Sequence, residues 1–292
     1  MSSFKQWKHR LKCAFLSARI GQPQRDWQQA LASHPQFGLL DAGDEQFSYR
    51  HFKAYLNRHL NAAQKLAIVH HTAQRLCDVL SADRFNTIFT TETGLQLATL
   101  PFKDGDGEAR VIMRRATFPR EGEVGLFMET DEEGIIYQLN FSLAPPATLL
   151  IGGLQGPRPE QGDIIKRYNK ALHGLRPQNV MVSAMYACAR VFAADTVKGI
   201  AETAHPRRKR LKSSYDRFWA ENGGETSQGG WFLLPSEEPE RDIQQVKSQR
   251  RAAFRRREAL REDMARQIVT ALGYPELMPA PVEDEQVAAA TP

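Results

Sequence analysis

The stretch ATLLIGGLQGPRPEQGDIIKRYNKAL, beginning at Ala147, passes from apolar residues into a helix through Gly152, Gly153, Gly156 and Gly162. A strand that stops in a glycine turn and feeds a helix opening at Asp163 gathers backbone N–H groups and the positive end of a helix at one spot. That arrangement suits a pyrophosphate. In this reading the glycines allow close backbone approach and Asp163 caps the helix. Pro157 and Pro159 remove two of the donors, and the run fits neither the dinucleotide-binding glycine pattern nor the P-loop, so an ordinary turn accounts for the same residues. The basic run HPRRKRLK at 205–212 follows the strand-like VKGIAETA. If those strands neighbour the glycine loop, Arg207, Arg208 and Lys209 are expected to face the same anion.

Other residues with chemical potential have simpler readings. His70 and His71 are adjacent, about 100° apart on a helix, and cannot chelate one metal as an i, i+4 pair could, so no metal site is expected. Ser142 and Ser183 lie in no nucleophile elbow, and Cys188 sits among alanine and methionine in an apolar helix, where a thiol packs. The carboxylates of DGDGE and ETDEEG fall at hairpin tips, where Asp and Gly serve turn geometry. The run SQRRAAFRRREALR at 248–261 can grip phosphates of a nucleotide, an RNA or an anionic membrane face, but its interleaved acids suit helix-surface ion pairs.

The chain has 292 residues, 41% hydrophobic and 25% charged, as in soluble globular proteins. No stretch approaches the roughly 20 apolar residues needed to cross a bilayer. The N-terminal WKHRLKCAFLSARIG lacks the apolar segment of a secretory signal, and Cys13, Cys77 and Cys188 form no pair pattern. A reducing, cytoplasmic setting is expected, with peripheral association at the inner membrane as an option of the basic helices. The net charge of +5 is uneven: Arg241 to Arg266 holds nine basic and four acidic residues, and nine minus four equals the excess of the whole chain.

These residues need elements to position them. Apolar positions in SYRHFKAYLNRHLNAAQKLAIVHHTAQRL recur near helical spacing, so a helical region is expected over 1–82. From Phe85 to Gln155 the runs FNTIFT, LQLATL, ARVIMRRATF, EVGLFMET, IIYQLNFSL and ATLLIGGLQ alternate with DGDG, REGE and DEEG. Turns this short join antiparallel neighbours, predicting a meander. A helix from Asp163, a second over NVMVSAMYACARVFAA, a strand VKGIAETA, a short helix SYDRFWAENGG and a last strand GWFLLP complete an α/β domain over 83–240. A basic helix within 241–272 and a disordered tail over 273–292 follow. The fold class is α+β: a helical layer, then a mostly antiparallel sheet flanked by helices.

IGGLQGP, ALHGLRPQNVMVSAMYACA, the H-x-x-R-K-R region at His205, YDRFWAENGG, FLLP and the late RRAAFRRREAL together resemble the VirK/YbjX family of bacterial proteins, from about His34 to Leu272. The resemblance implies links to virulence, cell-envelope properties and tolerance of antimicrobial peptides, without an established biochemical activity.

The order of elements also resembles the acyl-CoA N-acyltransferase (GNAT-like) fold. That likeness implies an acyl-CoA whose pyrophosphate lies on the turn of Gln155, Gly156, Arg158 and Gly162, and Tyr215 as the acid that protonates the departing thiolate, a role its phenol can fill. The loop here is longer than the fold's usual turn and contains proline. Glu202 or His205 is the candidate base. The first expectation is therefore an acyltransferase acting on an envelope-related amine or hydroxyl. The second is a non-catalytic cytoplasmic binding or regulatory factor at the inner membrane face. An RNA-binding protein comes last, because no RNP, KH or GxxG signature accompanies the basic surface.

Overall fold

The computed structural model describes residues 17–44, 47–157, 161–211 and 214–278. Helical residues 17–20 precede α1 (Gln22–Ser33), α2 (Pro35–Ala42), α3 (Ala62–Val79) and α4 (Ala82–Thr90). Both α1 and α2 open with proline in the first turn, where its missing N–H costs nothing. Asn61 and Gln64 close a reciprocal capping box at the start of α3. Trp27, fully buried, meets Phe37, Phe47 and His70 in tilted and edge-on contacts, so His70 is an aromatic packing residue.

The run FNTIFT, expected as the first strand, is helical and belongs to α4. Ser81 caps it by accepting from Arg84 N–H, and Phe85, Ile88 and Phe89 fall at i, i+3 and i+4 on one buried face. Tertiary burial of that face outweighs the β-propensity of its Thr, Ile and Phe residues.

The meander follows as β1 (Leu95–Pro101), β2 (Glu108–Arg115), β3 (Val124–Thr130), β4 (Gly134–Ala144) and β5 (Thr148–Gln155), each antiparallel to the next. Helices α5 (Gly162–Ala171) and α6 (Pro177–Val191) then carry the chain to β6 (Thr196–Ile200), which pairs parallel to β5. The strand expected over VKGIAETA stops at Ile200, and Glu202–Ala204 form a 3-10 turn. Helix α7 (Tyr215–Glu221) and the hairpin of β7 (Glu225–Ser227) and β8 (Trp231–Leu234) complete an eight-stranded sheet in the order β1-β2-β3-β4-β5-β6-β8-β7. The fold is α+β, with the element order expected of an acyltransferase-like domain.

Helices α3 and α6 both pack on β4, whose residues from Tyr137 onward include an unbroken buried run through Ala144. Thr72 of α3 donates to Leu143 O and accepts Leu143 N–H, each at 2.9 Å, tying the helical layer to that strand. The last helix, α8 (Arg251–Leu272), starts later than the basic run suggests, since Ile243–Gln245 and Ser248–Arg250 are separate 3-10 turns. Met264, Ile268, Val269 and Leu272 bury one face of α8, which packs on β1 and α6. Gln267 bonds both the N–H and the C=O of Thr99 on β1, at 2.9 and 3.1 Å, and so covers that sheet edge. Gly273, at φ 98°, ends α8, and Pro275–Leu277 form a 3-10 turn. The rest of the tail expected to be disordered, 279–292, lies outside the described residues.

Candidate functional site

Strand β5 pairs with β4 along its length, but its parallel ladder to β6 covers only Thr148–Ile151. The β4–β5 register passes from Asn140↔Gly153 to Phe141↔Ile151, leaving Gly152 as a bulge residue. Bulges bend a strand and re-aim its side chains, and here β5 leaves β6 at that point. The opening is filled by polar groups. A Cβ on Gly152 would lie 2.0 Å from the backbone oxygen of Glu121, and one on Gly153 would lie 2.1 Å from Glu121 Oε2. The two glycines are therefore the room taken by a buried carboxylate.

Glu121 lies in the connection from β2 to β3 and is 2% exposed. Asn140 Nδ2 donates to its Oε2 at 3.2 Å, and Gln155 Nε2 lies 3.3 Å from both carboxylate oxygens. His205, 1% exposed, holds its Nε2 3.5 Å from Glu121 Oε1. Its Nδ1 accepts the Arg207 backbone N–H at 3.0 Å, so Nδ1 carries the lone pair and the ring proton sits on Nε2, which faces the carboxylate but makes no hydrogen bond. The Tyr215 ring meets His205 edge-on, with centroids 5.7 Å apart. Its hydroxyl accepts Leu154 N–H at 3.1 Å and Gln155 Nε2–H at 2.9 Å, filling the place a β6 partner would have taken on β5. Burial, and next the charge of Glu121, push the Tyr215 phenol well above its ordinary value, so it stays protonated and can act as a donor.

Tyr215 opens α7, and that start is fixed by reciprocal bonds. Ser214 Oγ donates to Glu202 Oε1 at 2.8 Å, Asp216 N–H approaches the same oxygen at 3.3 Å, and Asp216 Oδ1 accepts Glu202 N–H at 2.8 Å. Glu202 is thus occupied in holding the helix that carries Tyr215.

Two clefts meet at Gly156. One, of about 290 Å³, is lined by Tyr215, Leu154, Arg176, Ser214, Arg217 and Phe218. In it Arg217 and Arg176 share the single carboxylate of Glu221, at 2.9 and 3.9 Å, which leaves that wall with excess positive charge. The other, of about 330 Å³, is lined by Phe118, Ile135, Ile136 and Ile164 together with Gln138 and Gln155. Gln155 thus stands between this second cleft and Glu121.

Of the residues singled out in the sequence, Tyr215, His205 and Gln155 come together. Gly156 lies at the meeting of the clefts, but a Cβ there would strike the Tyr137 ring at 2.3 Å, so the described structure explains this glycine by packing. At Gly162 a Cβ would meet open space. Helix α5 has Gln161 at its N-cap, whose side chain does not cap the helix, while Asp163, expected as the cap, is inside the first turn and pairs with Lys166 at 2.9 Å. Arg207 holds its guanidinium 5.8 Å from the ring centre of Phe118, at the second cleft, while Arg208 and Lys209 are exposed in a 3-10 turn. Arg158 lies outside the described residues. The described part of the 155–162 loop therefore gives no built cradle for a pyrophosphate. Sequence reading missed Glu121, Asn140 and Gln138. The signal available for Glu121 was a second glutamate, Glu123, across one glycine, in a segment taken as turn filler.

Across residues 2–270 the chain matches the model of a protein family described as of unknown function, DUF535. It is 25% identical over 259 residues to the uncharacterized protein YbjX of Escherichia coli, covering 84% of this chain and 78% of that protein. An uncharacterized protein of Haemophilus influenzae is 26% identical over 279 residues, with 92% and 89% covered. Two solved structures of mutants of a cAMP-binding acyltransferase from Mycobacterium smegmatis align at 10% identity with TM-scores of 0.29 and 0.30. They cover 74% and 72% of this chain, which spans 63% and 60% of those chains. The resemblance carried by IGGLQGP and LHGLRP agrees with the family match and with YbjX.

Proposed function

The chain belongs to the DUF535 family, and within it we propose an enzyme that transfers an acyl group to an amine or hydroxyl, with its reacting centre at Glu121, His205 and Tyr215. The observation that carries this reading is the opening of β5 from β6, which gathers a carboxylate, an imidazole and a phenol where a continuous sheet would have hydrogen bonds. Such a centre holds a base and an acid in different surroundings. The base is Glu121, whose carboxylate Asn140 and Gln155 orient with His205 packed beside it, while Tyr215 is the acid. This assignment replaces Glu202, whose carboxylate is occupied at the start of α7, and moves His205 from base to positioning residue.

An acyl-CoA would supply an activated acyl group as substrate. The acceptor nitrogen or oxygen bonds to the acyl carbon and loses its proton to Glu121, reached past Gln155. Collapse of the adduct breaks the bond to the leaving sulfur, which takes the Tyr215 proton. The low-dielectric surroundings that hold the phenol protonated also raise the basicity of a thiolate formed beside it. Glu121 returns its proton through solvent to the phenolate, so the enzyme ends as it began. The positive wall of Arg176 and Arg217, in the cleft that Tyr215 lines, suits the phosphate-bearing end of such a donor better than the 155–162 loop. The envelope links implied by the VirK/YbjX resemblance suggest an envelope amine or hydroxyl as acceptor.

The test incubates the purified chain with acyl-CoAs and a panel of amine and hydroxyl acceptors, following free thiol and ligand-induced thermal shift. Release of thiol that falls by about 10²-fold or more in Tyr215→Phe, with the thermal shift kept, is the expected result. If no acyl-CoA gives either a shift or thiol, the reading of a non-catalytic binding factor takes its place.

A further inference from the structure

The second cleft at Gly156 has an apolar wall and one polar group without a partner. Phe118, Ile135, Ile136 and Ile164 supply the wall, and Ile135 remains 47% exposed. A large aliphatic side chain so open to water gains most from a ligand that covers it. Gln138 lines the same cleft and is 5% exposed. Its Oε1 accepts from Thr117 Oγ1 at 2.8 Å, but its Nε2 is buried and makes no hydrogen bond. A buried amide N–H without an acceptor costs roughly 1–3 kcal/mol, so its retention beside a cleft points to an acceptor brought by a ligand. Thr117 Oγ1 can accept as well as donate, so a turn about the terminal side-chain bond, a soft torsion, lets one Nε2–H bond Thr117 and leaves the second for a ligand. Gln138 is also the cross-strand partner of Gln155, whose Nε2 reaches Tyr215 and Glu121. A carbonyl bound at Gln138 would therefore lie next to the candidate reacting centre.

We propose that this cleft takes a medium-length, unbranched fatty acyl chain, with Gln138 Nε2 donating to the carbonyl oxygen at its head. The inference rests on the acyl-transfer reading and names the acyl group. At about 330 Å³ the cleft lies near the lower end of ligand pockets, roughly 300–1,000 Å³, which suits one chain better than a bulky ring system. Among the described residues the lining carries no arginine or lysine, its one carboxylate, Glu133, is paired with Arg167, and Arg207 lies at Phe118, so a neutral carbonyl fits the floor.

Binding is measured by isothermal titration with acetyl-, hexanoyl-, decanoyl- and palmitoyl-CoA, and with decanamide, which has no leaving group and no phosphate. The Kd is expected to fall at least tenfold from acetyl to decanoyl and to change little from decanoyl to palmitoyl, and decanamide is expected to bind. Gln138→Leu should weaken decanamide by up to about tenfold, the size of one lost hydrogen bond. Ile135→Asn, at an exposed position that leaves folding intact, should flatten the chain-length dependence. Equal affinity across chain lengths with no binding of decanamide overturns the proposal, even if thiol release from acetyl-CoA upholds acyl transfer. Decanamide binding that is lost in both variants, in a protein that releases no thiol, upholds the cleft and removes the transfer reading.

Discussion

Glu121 and Glu123 are two residues apart in one connection, both buried, and the company they keep differs. Glu123 faces Arg50, whose Nε lies 3.2 Å from Oε1, and the same guanidinium also binds Asp44 and, at 2.6 Å, the carbonyl of Pro119. Every nearby group there ties the helical layer to the sheet, and no cleft reaches it among those described. Among the described residues no arginine or lysine pairs with Glu121. It is surrounded by an amide from β4, an amide from β5, a neutral imidazole and, nearby, a phenol, with clefts on either side of Gly156. A carboxylate neutralised by arginine is a clamp, whereas one held by neutral donors keeps its capacity to take a proton.

The contrast can be broken most severely on the clamp side. Arg50→Ala leaves Glu123 and Asp44 without their buried cation, and urea denaturation should show a loss of about 3–5 kcal/mol. A loss below about 1 kcal/mol would mean that Glu123 is as loosely held as Glu121. Next to Arg50, His51 has both ring nitrogens buried without partners, and burial, then Lys65, lower it to about 4. Its folded value lies below the unfolded one, so its stabilising contribution is present above the ordinary histidine range and is lost as pH falls towards about 4. Burial raises Glu123, against the pull of Arg50, and this works in the opposite sense, favouring the fold as pH falls. The His51 share is isolated by comparing wild type with His51→Leu. Between pH 6.5 and 4 the wild type should lose up to about 1.4 kcal/mol per pH unit more than the variant. Parallel pH profiles would rule His51 out.

On the Glu121 side, stability effects should be smaller. Tyr215→Phe removes the acceptor for Leu154 N–H and Gln155, and a cost of about 1–3 kcal/mol is expected in the same denaturation experiment. An unchanged midpoint would show that β5 finds another partner at its open end. The smallest effect belongs to Asp163→Ala. Its exposed pair with Lys166 should leave both the unfolding midpoint and donor affinity where they were. A clear drop in acyl-CoA affinity in that variant would return the donor to the 155–162 loop and away from Arg176 and Arg217.

The fold was largely legible because turn chemistry marks the meander so regularly, and β1 to β5 lie where LQLATL, ARVIMRRATF, EVGLFMET, IIYQLNFSL and ATLLIGGLQ predict. FNTIFT was misread because five of its six residues, all but Asn86, are aromatic or β-branched and satisfy a strand pattern while Phe85, Ile88 and Phe89 also satisfy a helical one, and burial decides between them. Tyr215 and His205 could be named because each lies in a distinctive word of sequence. Glu121 could not, because REGE between two strands has the composition of a turn. What sets it apart is distant in sequence: Gly152 and Gly153 lack the Cβ atoms that would exclude it. Those glycines were noticed, and the space beside Gly152 and Gly153 is taken by Glu121 from the β2–β3 connection.

The most direct test of the central claim is to measure acyl-CoA thiol release and the unfolding midpoint together for wild type and Glu121→Gln. The substitution keeps the shape and one acceptor oxygen while removing the proton acceptor. The account predicts a fall in rate of about 10²-fold or more, with stability changed by less than about 1.5 kcal/mol. A variant that turns over at the wild-type rate, or that loses several kcal/mol of stability as Arg50→Ala is expected to, would contradict it, because Glu121 would then be a second clamp and not the base.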